Sequence, residues 1–153
     1  MTVLRTCLAT SILIATFAGA TPARAQLGVG TWVKQARSGP GMTMVVEACC
    51  GNGRKLTYRI NTGNMPILLT VESKFDGTEA PVLINGKPSG ETMAIKRVDS
   101  HHTTTVLKMN GVLFGTSNAE LSADGKTLTV QNNMSSAAAG NLVGKSTEVW
   151  VRS

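Results

Sequence analysis

The segment "LSADGKTLTV", residues 121–130, joins a tight-turn dipeptide to a strand of alternating character. Asp124 and Gly125 form an Asp-Gly pair, which supplies the positive φ angles that a short hairpin turn requires. Beyond the turn, the apolar Leu128 and Val130 alternate with threonines. A period of two is the pattern of a strand with one buried face. The segment therefore predicts an antiparallel β-hairpin.

The same combination of turn and strand extends over most of the chain. Further turn signals occur at Gly51-Asn52-Gly53, Thr62-Gly63-Asn64, Asp76-Gly77, Asn85-Gly86 and Asn110-Gly111. The segments between these turns have strand length and often alternate, as Leu56, Tyr58 and Ile60 do on one face.

The expected fold class is all-β. No segment after the first 25 residues combines adequate length with a helical period, so the chain is predicted to form an antiparallel up-and-down meander of about eight to ten strands. Such a meander avoids open edges most simply by closing into a barrel, and a flattened sandwich is the alternative. At this length a single domain with one core is expected.

Residues 1–25 have the pattern of a signal peptide. Arg5 is the positive residue, Leu8–Phe17 is the apolar run, and small residues stand at the positions that a signal peptidase reads before Gln26. The apolar run is shorter than the roughly 20 residues that a membrane-spanning helix needs. We therefore expect cleavage before Gln26, a barrel domain over residues 26–153 with no membrane span, and a periplasmic or secreted protein.

The sequence carries few signs of chemistry or of nucleic-acid binding. The formal net charge is +6, but Lys and Arg are scattered, whereas a nucleic-acid surface needs clustered basic residues and stacking aromatics. Motifs for serine hydrolases, zinc peptidases and phosphate loops are absent. The adjacent His101 and His102 are predicted to lie in a hairpin turn. We expect no catalytic residue, no metal, no cofactor and no nucleic-acid partner.

Cys49 and Cys50 are adjacent and follow a predicted strand that runs into the turn at Gly51. In an exported protein two thiols tend to be oxidised. Three interpretations are open: separate, reduced cysteines, a vicinal disulfide between the two neighbours, or a metal site. In the third, Met42 and Met44 alternate onto the face of Cys50 and supply soft sulfur ligands of the kind that suit Cu(I).

Several stretches carry a resemblance to a known family. They are Gly30-Thr31-Trp32, "FDGTEAPV" from Phe75, "MAIKRVDSHHTTTVLKMNG" from Met93, and "LSADGKTLTV". Together they resemble the small exported lipocalin-like proteins of bacteria over most of the mature chain, most firmly in its second half. The paired cysteines, the paired histidines and Ala137-Ala138-Ala139 depart from that family. The resemblance implies an antiparallel barrel, permits a ligand cavity and implies no reaction.

The resemblance also assigns roles to aromatic residues near the two ends of the mature chain. In lipocalins the tryptophan of Gly-x-Trp closes the base of the barrel, and an arginine of the last strand packs across it. Here this implies barrel closure by Trp32 and Arg152, with the cation over the indole ring. Trp150 lies two residues before Arg152 and on the same face, so it is expected either in the core or as a wall of the ligand site.

Arg97 is the candidate anchor for a ligand. Met93, Ile95 and Arg97 share one face of a predicted strand. If that face points inward, Arg97 enters the barrel behind two apolar residues, where the acidic head group of a ligand could be its partner. The alternatives are an internal pair with Asp99 or Glu120, or the opposite register with Arg97 in solvent.

Taken together, the sequence predicts an exported, lipocalin-like barrel that binds a small, largely apolar and potentially acidic molecule without catalysing a reaction. The expected ligand-binding residues are Met93, Ile95, Arg97 and Trp150. The alternative is a ligand-free barrel that acts through its surface as an envelope or interaction protein. An enzyme is the third class, which a compact acid–base constellation inside the cavity would favour.

Overall fold

The computed structural model describes residues 27–36, 41–135 and 143–153, and within these ranges the chain forms ten β-strands. The strands are β1 (Gly30–Gln35), β2 (Met42–Cys49), β3 (Gly53–Ile60), β4 (Ile67–Ser73), β5 (Asp76–Ile84), β6 (Lys87–Arg97), β7 (His102–Met109), β8 (Val112–Leu121), β9 (Thr127–Met134) and β10 (Gly144–Arg152). The signal peptide predicted over residues 1–25 and its cleavage position before Gln26 lie outside the described residues. Within the described ranges, no helix is long and apolar enough to cross a membrane.

The strands form one closed sheet. Each strand pairs antiparallel with the next along the chain, and β1 also pairs with β10. This seam aligns Trp32 with Arg152 and Lys34 with Trp150. The prediction of an all-β, antiparallel up-and-down meander that closes into a barrel is therefore confirmed, and the sandwich alternative is wrong. The pairing is shortest between β4 and β5, which are partners only at Leu69–Ile84 and Thr70–Leu83.

The direction of the strands gives the barrel two distinct ends. Because neighbours run antiparallel, all the odd-numbered strands begin at one end, the near end, and finish at the other, the far end. The near end carries the turns from β2 to β3, β4 to β5, β6 to β7 and β8 to β9. The first and last described residues, Leu27 and Ser153, also belong to the near end.

Two of the predicted Asn-Gly turns have the expected backbone. Asn85 and Gly86 have φ angles of 49° and 80°, and Asn110 and Gly111 have φ angles of 50° and 81°. Each pair connects two strands through a two-residue loop. Asparagine and glycine tolerate this left-handed backbone better than other residues, so the residue types determine the turn.

The hairpin at residues 121–130 forms with a longer loop than predicted. β8 ends at Leu121 and β9 begins at Thr127, and within the loop Gly125 has a positive φ angle of 68°. Asp124 contributes through its carboxylate, which accepts hydrogen bonds from the Ser122 hydroxyl at 2.6 Å and from the Lys126 backbone N–H at 3.0 Å. The aspartate therefore acts as a side-chain acceptor instead of adopting a positive φ angle.

The predicted turn at Asp76-Gly77 is displaced by two residues. β5 already begins at Asp76, and the turn before it contains Lys74 and Phe75, of which Phe75 has a φ angle of 61°. Gly77 lies inside β5 and has a positive φ angle of 92°. At this position the register of β5 with β6 shifts, between Asp76 and Glu79. A glycine within a strand commonly marks such a bulge.

The core is built from inward-facing residues of most strands. The completely or almost completely buried side chains include Trp32, Met44, Val46, Leu56, Val71, Val82 and Trp150. Each buried side chain of this size contributes about 1.5–3 kcal/mol to folding. Trp32 has no exposed surface. It is paired with Met44 on β2 and with Arg152 on β10, so it lies where β1 joins both of its neighbours.

Barrel closure at the near end depends on Arg152 and on glycines that leave room for it. The Arg152 guanidinium donates a hydrogen bond from Nη2 to the Val29 carbonyl oxygen at 2.6 Å. A Cβ added to Gly28 would lie 3.0 Å from Arg152 Nη1, and one added to Gly30 would lie 3.3 Å from Nε. Arg152 is thus the register partner of Trp32, but its guanidinium lies against the backbone that enters β1. The expected packing of this cation over the Trp32 indole is not among the cation–π contacts of the described residues.

Candidate functional site

A cavity of about 420 Å³ lies inside the barrel. That volume is within the range of about 300–1,000 Å³ that small-molecule sites occupy. Most of its lining is apolar and comes from β2 to β4 and from β6 to β10, and it includes Met42, Met44, Leu56, Tyr58, Leu69, Met93, Ile95, Leu107, Phe114, Val130, Met134 and Trp150. The fold therefore encloses a space for a small apolar molecule.

The four predicted ligand-site residues all line this cavity. Met93, Ile95 and Arg97 are consecutive inward positions of β6, and Trp150 faces them from β10. The pairing of Ile95 with Thr105 on β7, another cavity residue, fixes this register. Arg97 therefore has its side chain in the barrel, and the alternative register, with Arg97 in solvent, does not form.

The Arg97 guanidinium is partly buried and lies against an aromatic ring. Its Cζ atom is 5.8 Å from the centroid of the Phe75 ring. Within the described part of the chain, Arg97 has no ion pair, so the predicted internal pair with Asp99 or Glu120 is not formed. A partly dehydrated guanidinium without a carboxylate is a site where an anion can bind with little competition.

Asp99 is occupied within the turn from β6 to β7. Its carboxylate accepts hydrogen bonds from the backbone N–H groups of His101 at 2.7 Å and His102 at 2.8 Å, and it also contacts the His102 ring nitrogen Nδ1 at 2.8 Å. The backbone hydrogen bond from His101, followed by the contact with the His102 ring, holds the pKa of Asp99 below its ordinary value. The prediction that the two histidines lie at a hairpin turn is confirmed, and their contacts with Asp99 explain why Arg97 is left without it.

Sequence reasoning missed a second set of polar groups toward the far end of the cavity. Burial raises the pKa of the Tyr58 hydroxyl, and the nearby carboxylates of Glu148 and Glu91 raise it further. Desolvation likewise raises the pKa of Glu91 above its ordinary value. Glu148 forms an ion pair with Lys34, at 2.6 Å between Nζ and Oε1. Lys34 and Glu148 could have been found only from the pairing of β1 with β10.

Trp150 forms part of the cavity wall and also packs on Tyr58. The two ring centroids are 5.9 Å apart with an interplanar angle of 69°, an edge-to-face arrangement. Such pairs contribute about 0.5–1.5 kcal/mol beyond the area they bury. Trp150 is therefore both a core residue and a cavity residue, which were the two alternatives for it.

The two cysteines lie outside the cavity, on the near end of the β2–β3 hairpin. Cys49 is the last residue of β2, Cys50 is in the turn with a φ angle of 44°, and their Sγ atoms are bonded to each other. Met42 and Met44 cannot act as metal ligands together with the cysteines, because both methionines line the cavity on the inner face of β2. The interpretation of a metal site with methionine ligands is therefore wrong. Of the three interpretations, the structure shows the vicinal disulfide between Cys49 and Cys50.

Comparison with known proteins gives a match at the level of the fold. No protein family matches the sequence, and no curated protein matches it. A crystal structure of a variant of the fluorescent protein UnaG is similar, with a TM-score of 0.60 and 15% sequence identity, over 83% of this chain and 96% of that chain. At this identity the likeness shows the fold alone: the chain has the closed antiparallel β-barrel architecture of UnaG.

Proposed function

We propose that the mature chain is an exported, non-catalytic binding protein that holds a small, largely apolar molecule with an acidic group. The observation that carries the proposal is the Arg97 guanidinium, which lines a mostly apolar cavity of about 420 Å³ and has no carboxylate partner among the described residues. An acidic head group would supply that partner, and the apolar walls would bury the rest of the molecule.

The distribution of charge in the cavity supports one orientation of such a ligand. Arg97 is at the near end of β6, and Glu91 is six residues earlier on the same inward face. Six strand residues span roughly 20 Å. Glu148 also lines the cavity, and so does Asp99, whose carboxylate lies at the same end as Arg97 but is held by the backbone N–H groups of His101 and His102. The Arg97 guanidinium therefore favours an orientation in which the acidic group of the ligand points toward the near end.

Export is part of the proposal and rests on the signal-peptide pattern of residues 1–25. Cleavage before Gln26 should yield a mature chain that begins with that residue. Amino-terminal sequencing of protein recovered from outside the cytoplasm of its own host checks this. Recovery of a chain that still begins with Met1 would contradict export by signal-peptide cleavage.

Binding inside the barrel should be blocked by a bulky residue on the cavity wall. Ala119 lines the cavity from β8, and Ala119→Phe should lower the affinity for a fluorescent fatty acid at least about 10-fold, a loss of about 1.4 kcal/mol. Fluorescence titration of wild type and variant measures the affinity. Ala94→Phe is the matched control, because Ala94 lies between Met93 and Ile95 on the outer face of β6.

Thermal midpoints of both phenylalanine variants establish that they are folded. Equal affinities of the Ala119→Phe variant and the wild type would place the probe outside the cavity. Absence of any binding to the wild type would favour the surface-acting, ligand-free barrel instead.

A further inference from the structure

The outer surface of the barrel brings the two cysteines next to a carboxylate from a strand that is distant in sequence. One oxygen of Glu72 and the Sγ atoms of Cys49 and Cys50 all lie within 4.8 Å of one another. Glu72 is on β4, and the two cysteines are at the end of β2, so β3 lies between them. The strand pairing that places Glu72 beside Lys55, and Lys55 beside Glu47, produces this approach.

Gly53 makes the approach possible. It is the partner of Cys49 across the β2–β3 hairpin and carries no side chain that could separate the sulfurs from β4. A Cβ at this position would collide with the Ser73 carbonyl oxygen, so β4 packs too closely on Gly53 to allow another residue there. The same close packing brings Glu72, the neighbour of Ser73, toward the cysteines.

Glu72 has no competing partner in the described part of the chain. The nearest lysine in the strand register, Lys55, forms its ion pair with Glu47, at 3.8 Å between Nζ and Oε2. Glu72 is exposed and forms no ion pair among the described residues. Its carboxylate is therefore available to a cation that the sulfurs also contact.

We propose that reduction of the Cys49–Cys50 disulfide creates a metal site for Zn²⁺, with the two thiolates and the Glu72 carboxylate as protein ligands. Two thiolates and one carboxylate are a donor set that Zn²⁺ accepts, and solvent completes a four-coordinate site that is open on the protein surface. The oxidised form cannot offer this site, because its sulfurs are bonded to each other and carry no negative charge.

The chemical steps balance with a dithiol as the reductant. A dithiol transfers two electrons and two protons to the disulfide, which leaves two thiols on Cys49 and Cys50 and an oxidised, cyclic disulfide of the reductant. Zn²⁺ then displaces the two thiol protons, since the thiolate is the form that binds a metal. Binding to the reduced protein should therefore release about two protons per metal ion at neutral pH.

The test compares Zn²⁺ binding by untagged protein in its oxidised and reduced forms. The reduced form is prepared with a dithiol, freed of reductant under anaerobic conditions, and titrated against a chromophoric zinc chelator. We expect one Zn²⁺ per reduced chain, with release of about two protons, and no stoichiometric binding to the oxidised chain. Similar binding by the two forms, or none by the reduced form, would overturn the proposal.

A substitution of Glu72 tests whether its carboxylate is a ligand of the bound Zn²⁺. Glu72→Gln should weaken Zn²⁺ binding by the reduced protein at least about 10-fold, since even groups that only support a metal ligand contribute 10- to 100-fold to affinity. Glu120→Gln is the matched control, because Glu120 is an exposed carboxylate of β8 that lies outside the cluster, and the Zn²⁺ affinity of this variant should stay within about 3-fold of wild type. Equal effects of the two substitutions would remove Glu72 from the site.

A variant with serine at both cysteine positions should bind no Zn²⁺ in either redox state. It is expected to fold normally, because a disulfide between neighbouring residues closes almost no loop and so restricts the unfolded chain little. Its thermal midpoint, compared with that of the oxidised wild type, verifies the fold before the titration. Retained stoichiometric binding by this folded variant would place the metal elsewhere.

Discussion

Replacing Trp32 with alanine should lower the free energy of unfolding by about 3–5 kcal/mol, the typical loss for a large aromatic residue in a packed core. Trp32 has no exposed surface and packs among buried residues contributed by several strands, including Met44 and Trp150. It also lies on β1, whose other neighbour is β10, so the vacated space would weaken the seam that closes the barrel. The strands cannot easily move inward to fill the cavity left by the indole, because each strand is paired with a neighbour on both sides.

Denaturant titration of wild type and variants measures this loss. Trp32→Phe should cost clearly less than alanine, because an aromatic ring remains and because the indole Nε1 has no hydrogen-bond partner among the described residues. Val33→Ala is the neighbouring control: Val33 is 37% exposed on the outer face, and its substitution should change stability by less than about 1 kcal/mol. If Trp32→Ala changed the unfolding free energy as little as Val33→Ala, Trp32 would not be the closure residue.

Replacing Arg97 with alanine should weaken the binding of an apolar carboxylic acid by about 10-fold or more. A hydrogen bond to a charged group contributes about 1.5–3 kcal/mol, which corresponds to a 10- to 150-fold change in affinity. The neutral methyl ester of the same acid lacks the charge that Arg97 would pair with, so its affinity should change little.

The design needs four titrations and one control variant. A fluorescent fatty acid and its methyl ester are each titrated into wild type and Arg97→Ala. Arg59→Ala removes the same charge from the exposed outer face of β3 and should leave both affinities unchanged. Added salt should reduce acid binding less than it would at a surface site, since a partly buried pair is less screened. Equal affinities in all four titrations would exclude Arg97 from the ligand site.

Much of the fold follows from local sequence, because strand alternation and turn chemistry act over a few residues. Asn85-Gly86 and Asn110-Gly111 lie where a two-residue turn needs positive φ angles. Leu56 and Tyr58, two residues apart, identify the inner face of β3. The inner face of β10 is harder to predict from the sequence, because both faces of this strand carry apolar residues. Val149 and Val151 alternate with Trp150, and the structure turns the tryptophan inward, where it buries more apolar area.

The candidate sites were predictable only in part, because they depend on the pairing of strands that are distant in sequence. The alternation of β6 placed Met93, Ile95 and Arg97 on one face but left open whether that face points into the barrel. The lack of a carboxylate partner for Arg97 depends on the turn in which Asp99 binds His102. The approach of Glu72 to the cysteines depends on two strand registers at once, and no local pattern encodes it.

The seam between β1 and β10 also determines the order in which the barrel can be completed. Arg152 donates its hydrogen bond to Val29, 123 residues earlier in the chain, whereas every other pairing joins neighbouring strands. Local hairpins can form as soon as their own residues are available, but the seam must close a loop of nearly the whole chain and is the slowest contact to form. Until the last strand has been synthesised, β1 has no second neighbour and the sheet stays open. A nascent chain of this topology therefore remains incompletely folded until β10 has been synthesised and can pair with β1.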